Sequence, residues 1–286
     1  MRLLKKDNSL AENVLQIIRH RATERPGTDK DTLHPAGTYL CRGCGAALFR
    51  ATQRFQSACG WPSFDDAIDS AVIEKKDLDG KRTEIVCAHC GGHLGHVFVG
   101  EQFTQKNKRH CVNSLSMEFI PGAEPLYTEE CIVAAGCFWG VQYYLDRLPG
   151  VLKTEVGYTG GTRDSPSYRD VCTGETGHLE AVRILYDPLK VDYETIAKYF
   201  FEIHDPVQRD GQGPDRGSQY LSAIFYYDDL QKKIAENVIQ LLKNKGVEVA
   251  THIRPVTTFW PAEEDHQQYY DKTNHLPYCH TYTKRF

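Results

Sequence analysis

Ten cysteines lie along the chain, at 41, 44, 59, 87, 90, 111, 131, 137, 172 and 279, and their neighbours separate them by chemistry. Cys137 follows an apolar run, Ile132-Val133-Ala134-Ala135, and precedes a helix-like pattern, Val141 to Asp146. That order sets a thiol where a strand ends and a helix begins. Free amides and the positive end of a helix dipole favour thiolate over thiol. Phe138 and Trp139 follow at once and could wall a small apolar pocket. The competing reading is a buried structural cysteine in a hydrophobic turn. Cys111 stands two residues after the cation of Arg109, and the fold could bring His93 and His96 near it. Cations and imidazolium favour thiolate, although either histidine could instead be structural. Cys59, close to Trp61, is either structural or a second thiol beside an oxidised Cys111. Cys131 and Cys172 read as structural.

Four further cysteines form two pairs, Cys41-Arg42-Gly43-Cys44 and Cys87-Ala88-His89-Cys90, with forty-two residues between them. A glycine follows each pair, Gly45 and Gly91. Four thiolates in two such knuckles fit one tetrahedral structural Zn²⁺; the same ligand set can take iron. A redox pair of the thioredoxin kind fits poorly, because there are two pairs and no typical flanking pattern.

These residues need two separate scaffolds. The chain has 286 residues, enough for two domains of ordinary size. Pro121-Gly122-Ala123-Glu124-Pro125 has no periodicity and divides two cysteine-rich patterns, giving domains 1–122 and 123–286. After a helix at about 11–20, the first half carries short strand-like runs and many turns, which predicts a mostly-β domain. The second half alternates, with strands expected at 131–135, 152–158, 180–186, 221–227 and 247–254 and helices at 138–147, 192–203 and 229–245. Asp192 is a plausible N-cap, with Ile196, Tyr199, Phe200 and Ile203 on one face of its helix. Gly246 ends the third helix. This mixed order predicts an α+β sandwich of helices on a sheet.

Composition narrows the function class. Residues 1–125 carry 17 basic and 15 acidic side chains, residues 126–286 carry 17 and 23, and the net charge is −4. Neither half has the basic stripe that nucleic-acid binding needs. There is no polybasic amphipathic helix for a membrane surface and no apolar run of membrane-spanning length. Met1 to Asp7 lacks a signal-peptide core, so the chain reads as cytoplasmic unless a signal was removed.

The run Gly136-Cys137-Phe138-Trp139-Gly140-Val141 resembles the signature of methionine sulfoxide reductase A. So do Tyr168 to Glu180, Asp215 to Tyr220, Glu264 to Tyr269, and Tyr278-Cys279, in the family's order over about residues 130–280. Cys59 to Phe64, Gly92 to Phe98, and Arg109 to Ser114 resemble methionine sulfoxide reductase B over about residues 12–120. The resemblance implies a fusion: a zinc-containing, mostly-β B domain, then a ferredoxin-like A domain. It implies reduction of both epimers of methionine sulfoxide, free and in proteins. The A domain would take the S epimer and the B domain the R epimer, as oxidative-damage repair.

A sulfoxide is a poor electrophile at sulfur until its oxygen is protonated. The reaction needs a thiolate, a proton donor on oxygen and an apolar slot for the S-methyl group. In the A domain the resemblance implies that Cys137 attacks, and that Glu180 protonates the oxygen with help from Tyr168 and Tyr220. Phe138 and Trp139 would hold the methyl, and Asp215 the substrate backbone. Glu180 must be protonated to act, which burial favours; the alternative is an ordinary strand carboxylate. In the B domain the resemblance implies that Cys111 attacks, that His93, His96 and a water supply protons, that Trp61 packs on the methyl and that Asn113 orients the site. Each attack leaves a sulfenic acid. Cys59 would resolve Cys111, and Cys279 (or else Cys172) would resolve Cys137. A thioredoxin-like dithiol would then reduce each disulfide, with no organic cofactor. The alternatives are a zinc-knuckle interaction protein with a degenerate reductase domain, or a general disulfide oxidoreductase.

Overall fold

The computed structural model describes residues 10–30, 32–77, 80–122 and 127–286. The expected linker falls in part on 123–125, and the segment Met1 to Asp7 falls wholly, outside the described residues. The chain forms two compact units, Met1–Thr128 and Glu129–Phe286.

The N-terminal unit opens with α1 (Glu12–Ile18), one turn shorter at its ends than the periodicity suggests. Its apolar face buries Val14, Ile17 and Ile18. Nine short strands follow: β1 (Gly37–Cys41), β2 (Ala47–Arg50), β3 (Arg54–Phe55), β4 (Ser63–Phe64) and β5 (Val72–Lys76) come first among the described residues. Then come β6 (Thr83–Cys87), β7 (His93–Val99), β8 (Lys108–Val112) and β9 (Met117–Pro121). They make two antiparallel sheets, ordered β2-β1-β9 and β3-β4-β8-β7-β6-β5. Phe49 and Phe64, one from each sheet, stack at 4.3 Å in the core. Cys41, Cys44 and Cys87 are buried in the same cluster. The expected mostly-β domain is what forms.

The C-terminal unit begins with β10 (Glu129–Ala135), α2 (Phe138–Leu145), β11 (Val151–Thr159) and α3 (Tyr168–Cys172). Next are β12 (Leu179–Tyr186), α4 (Tyr193–Glu202), the small hairpin β13 (Gly211–Gln212) and β14 (Asp215–Arg216), and β15 (Ser222–Tyr226). Last come α5 (Asp229–Asn244), β16 (His252–Pro255), β17 (Trp260–Pro261) and α6 (Tyr269–Thr273). The sheet order is β16-β15-β10-β12-β11-β17. Its four central strands, β15-β10-β12-β11, read fourth-first-third-second along the chain, which is the order of the ferredoxin-like sandwich that the resemblance implies. The strand period of two sorts β10 cleanly. Cys131, Val133 and Ala135 enter the helix-side core with Val141 and Phe200, while Ile132 and Ala134 enter the opposite core with Phe225 and Phe259.

Local signals act as expected in α4. The Asp192 carboxylate accepts the Thr195 N–H at 2.8 Å, and Ile196, Phe200 and Ile203 are buried. The strand expected over 247–254 is a correction: pairing with β15 covers only His252–Pro255. Gly246 takes φ +82° after α5, and Val247 donates its N–H back to Leu242 O at 3.1 Å. Val247 and Val249 thus spend their apolar side chains closing the helix end against the core, a helix-stop contact rather than strand alternation.

Candidate active sites

In the C-terminal unit the β10–α2 connection is a sharp turn at Gly136, φ +87°. A side chain there would collide with Gln212 of β13. The turn places Cys137 as N-cap of α2 with its side chain buried. Cys279, from the segment after α6, lies alongside. The sulfur atoms of Cys137 and Cys279 and a carboxylate oxygen of Asp215 all fall within 4.8 Å of one another.

The electrostatics of Cys137 differ from the helix-terminus expectation. The Trp139 amide does favour the thiolate. A hydrogen bond with Cys279, then burial, outweigh it and hold the thiol well above its usual range. The first amide of α2, Phe138 N–H, is taken instead by Glu180 Oε2 at 3.0 Å. Glu180 projects from β12 on the helix side and is 1% exposed. Burial first, then the neighbouring Cys137 and Asp215, push its carboxyl well above the carboxylate range. Those surroundings favour the protonated carboxyl, against the Phe138 amide, which favours the ionised one. Burial, reinforced by Glu180, also raises the Tyr168 and Tyr220 hydroxyls, Tyr220 to about 12. Both remain donors around the carboxyl.

An aromatic wall closes this site. Phe138 packs 5.9 Å from Tyr158 and 6.5 Å from Tyr168, centroid to centroid. Trp139 stacks on Tyr269 at 3.8 Å, and its indole N–H is buried without a hydrogen-bond partner. His266 lies between Tyr168 and Trp139, at 4.4 and 5.6 Å. Asp215 receives the Tyr278 hydroxyl at 3.3 Å. Cys172, at the end of α3, is exposed and shares a hydrogen bond with Tyr168. Sequence reasoning assigned no role to His266, Tyr269 or His280. His266 and Tyr269 lie in the run Glu264 to Tyr269 that shares in the resemblance, and they meet the site only through the fold.

The N-terminal unit builds a second thiol site on β8 and β7. Cys59 Sγ lies 3.9 Å from Cys111 Sγ. Gly95 on β7, paired with Val112, lets the strands approach; a Cβ there would run into the Cys111 carbonyl. Burial and Cys59 push the Cys111 thiol up to about 12, against the opposing pull of Arg109. Arg109 is itself gripped by both Glu101 oxygens, at 2.8 and 2.9 Å. Two serines, Ser57 and Ser63, approach Cys59 at 3.0 and 3.5 Å, and such hydrogen bonds lower its pKa despite partial burial.

Trp61, His96, Cys111 and Asn113 line a cleft of about 120 Å³. Asn113 is fixed at both ends: its amide donates to Leu94 O at 3.0 Å and its oxygen accepts Glu24 N–H at 3.0 Å. Trp61 donates to Glu24 O at 3.2 Å. His93 Nδ1 meets Glu84 Oε1 at 2.7 Å and His96 Nε2 meets Asp77 Oδ2 at 2.8 Å. A carboxylate only accepts, so His93 Nδ1 carries a proton toward Glu84, and its buried Nε2 has no hydrogen-bond partner among the described residues.

The two cysteine pairs meet in the N-terminal unit. Cys41 and Cys90 sulfurs are 3.6 Å apart, Cys44 and Cys87 3.7 Å, and all four lie within 4.8 Å of one another. A tetrahedron with ~2.3 Å metal–sulfur bonds has edges of about 3.8 Å. Gly45 and Gly91, at φ +74° and +71°, turn each knuckle and return N–H groups to Cys41 O and Cys87 O. Gly92 N–H points at Cys90 Sγ, 3.4 Å away. The donor set and spacing fit a tetrahedral thiophilic metal.

Comparison with known proteins decides the family. Residues 129–286 match the family model for peptide methionine sulfoxide reductase, and residues 10–121 match that for the SelR domain. The chain belongs to the peptide methionine sulfoxide reductase family. A relative named peptide methionine sulfoxide reductase MsrA, from Nocardia farcinica, is 48% identical over 145 residues, 50% of this chain and 83% of the relative. One of the same name from Sulfolobus acidocaldarius is 44% identical over 152 residues, 53% and 86% respectively. Among solved structures, reduced Mxr1 from Saccharomyces cerevisiae aligns with TM-score 0.50 at 35% identity, covering 55% of this chain and 91% of that one. A SelR domain followed by an A-type reductase domain makes this a fused methionine sulfoxide reductase, acting on the S and the R epimers by thiol chemistry. Among the described residues, no helix is long and apolar enough to cross a membrane.

Proposed function

We propose that each unit runs the reduction through its own pair of thiols. The observation that carries this is the juxtaposition of Cys137 with Cys279 in one unit and of Cys111 with Cys59 in the other. In the C-terminal unit Cys137 attacks the sulfur of the S epimer. Glu180, protonated because it is buried, gives its proton to the sulfoxide oxygen, with Tyr168 and Tyr220 as further donors. The oxygen ends on Cys137 as sulfenic acid, and methionine leaves. Phe138 and Trp139 form the apolar wall for the methyl group, and Asp215 holds the substrate backbone. In the N-terminal unit Cys111 attacks the R epimer. Trp61 packs on the methyl group, His93 and His96 supply the proton, and Asn113 keeps the cleft in shape.

The second thiol of each pair then displaces the hydroxyl and forms a disulfide. An external dithiol, of the thioredoxin kind that the family resemblance implies, restores both pairs. Turnover of separated epimers, free or in a peptide, with dithiothreitol as reductant tests the whole reading. The chain should consume both; a zinc-knuckle interaction protein or a general disulfide oxidoreductase would consume neither.

The metal of the four-cysteine site is zinc on this reading, held by Cys41, Cys44, Cys87 and Cys90 with no part in the reaction. It ties β1 to β6 through the core. Metal binding by such sets is itself folding free energy, so loss of a ligand removes several kcal/mol. At about 4 °C per kcal/mol for a unit of this size, Cys44→Ser should lower the melting temperature of the N-terminal unit by roughly 10 °C or more. S-epimer turnover should stay near the unmodified level. Metal analysis of freshly purified protein should find one zinc per chain; finding neither zinc nor iron would refute the assignment.

A further inference from the structure

His280 has no role above, yet three contacts fix it beside a reacting sulfur. Its Nε2 lies 2.6 Å from the carbonyl oxygen of Ala135 at the end of β10. A carbonyl oxygen only accepts, so Nε2 carries the proton. Its Nδ1 lies 3.1 Å from Cys279 Sγ. In the neutral ring that nitrogen is a bare acceptor, and the thiol must be the donor. Third, the ring lodges against the first turn of α2, where a Cβ on Gly140 would fall inside it. The second glycine of Gly136-Cys137-Phe138-Trp139-Gly140 thus leaves room for an imidazole from the far end of the chain.

The surroundings keep that ring neutral. The titratable groups facing it are Cys279 beside it, Asp215 from β14, His204 just after α4, and Tyr144 of α2, whose hydroxyl reaches the His280 carbonyl at 3.5 Å. Burial, offset in part by the Ala135 carbonyl and Asp215, brings the imidazole down to about 4. At neutral pH the ring presents a lone pair to Cys279, not a counter-charge.

We infer that His280 is the general base of the resolving step, taking the proton from Cys279 as its sulfur attacks the sulfenic sulfur of Cys137. This rests on the reading of Cys279 as the resolving thiol. The Cys279–Cys137 S–S bond forms and the S–O bond of the sulfenic acid breaks, its electron pair leaving with oxygen. The departing hydroxide takes up one proton, matching the one His280 removed, and leaves as water. Both sulfurs finish at the disulfide level and no other oxidant enters. The ring need hold its proton only until the hydroxide collects it, and a ring of low proton affinity releases it readily. The Ala135 carbonyl makes the ring useful: it prevents the tautomer that would turn an N–H toward Cys279.

The test is single turnover of the S epimer without reductant, following methionine release and disulfide formation separately. His280→Gln keeps an amide donor for Ala135 O and removes the base; His280→Asn serves as a second variant should the first fold poorly. With either, methionine release should keep its rate, and disulfide formation at neutral pH should slow about 10²-fold or more, the usual worth of a general base. Its rate should also acquire a rise with pH, because without the base only hydroxide can take the proton, where the unmodified chain stays flat through neutral pH. Disulfide formation as fast as in the unmodified chain, with the same pH profile, would overturn the inference. Cys279→Ser separates the two layers of the argument. It should leave sulfenic acid standing at Cys137, and a disulfide still formed there would remove Cys279 from the step and the role of His280 with it.

Discussion

Cys137→Ser should abolish reduction of the S epimer and leave R-epimer turnover at the unmodified rate, and Cys111→Ser should do the reverse. The effect is total because the sulfur atom is the acceptor of oxygen; a hydroxyl cannot form a sulfenic acid or a disulfide. On the proposed reading it is confined because each sulfur has its own partner thiol, Cys279 or Cys59, and its own proton source. Neither substitution should unfold its unit, since serine is close in size to cysteine and both sites keep their backbone contacts. Cys137 is the more demanding case, being almost fully buried. Circular dichroism of the variants settles folding, and epimer-resolved product analysis settles the activity. Loss of both activities from one substitution in a folded chain would refute the two-site account.

Glu180→Gln should lower S-epimer turnover by about 10²–10⁴-fold, the range a general acid supplies, with R-epimer turnover unchanged. The amide can still accept the Phe138 N–H, so folding should hold. The sign of the pH effect follows from the raised carboxyl pKa. A carboxyl pushed up keeps its proton to higher pH than an ordinary one and loses it as pH climbs through the folded-state value, so acid catalysis fails on the alkaline side. The Cys137 thiol, also pushed up, gains reactivity in the same direction. The two limbs oppose each other, and Glu180→Gln should retain only the rising one. The step to follow is sulfenic acid formation at Cys137 in a single turnover, because steady-state rates can report thiol recycling instead. A variant that forms sulfenic acid as fast as the unmodified chain would make Glu180 a bystander and leave the tyrosines or water as the proton source.

What the sequence made legible follows from how locally each feature is encoded. The helices α2, α4 and α5 rest on apolar periodicity with caps, Asp192 and Gly246 among them, and lie where expected to within a few residues at each end. The strands β10, β11, β12 and β15 are long enough, and apolar enough, to be read the same way. The strand expected over 247–254 shrank because Val247 and Val249 serve a helix end, a use that apolar residues alone do not reveal. The hairpin β13–β14 and the strand β17 escaped notice because each has two residues, too few for a period. Yet that hairpin carries Asp215 to the thiols.

The site residues divide similarly. Cys137 and the cysteine pairs announce themselves by spacing and flanking glycines. The protonation of the site does not: a thiol at a helix N-terminus suggests a thiolate, and only the fold shows Phe138 N–H spent on Glu180 and Cys279 pressed against Cys137. His280 was visible only as the neighbour of Cys279. Its one long-range signal is Gly140, a glycine inside a helix that needs a reason to be there.

The central claim, one thiol pair for each epimer, is tested most directly by mass-spectrometric mapping of disulfides after a single turnover of one pure epimer without reductant. The account predicts a Cys137–Cys279 bond from the S epimer with Cys59 and Cys111 still reduced, and a Cys59–Cys111 bond from the R epimer with Cys137 and Cys279 still reduced. A Cys137–Cys172 bond, or either epimer oxidising both pairs, would contradict it.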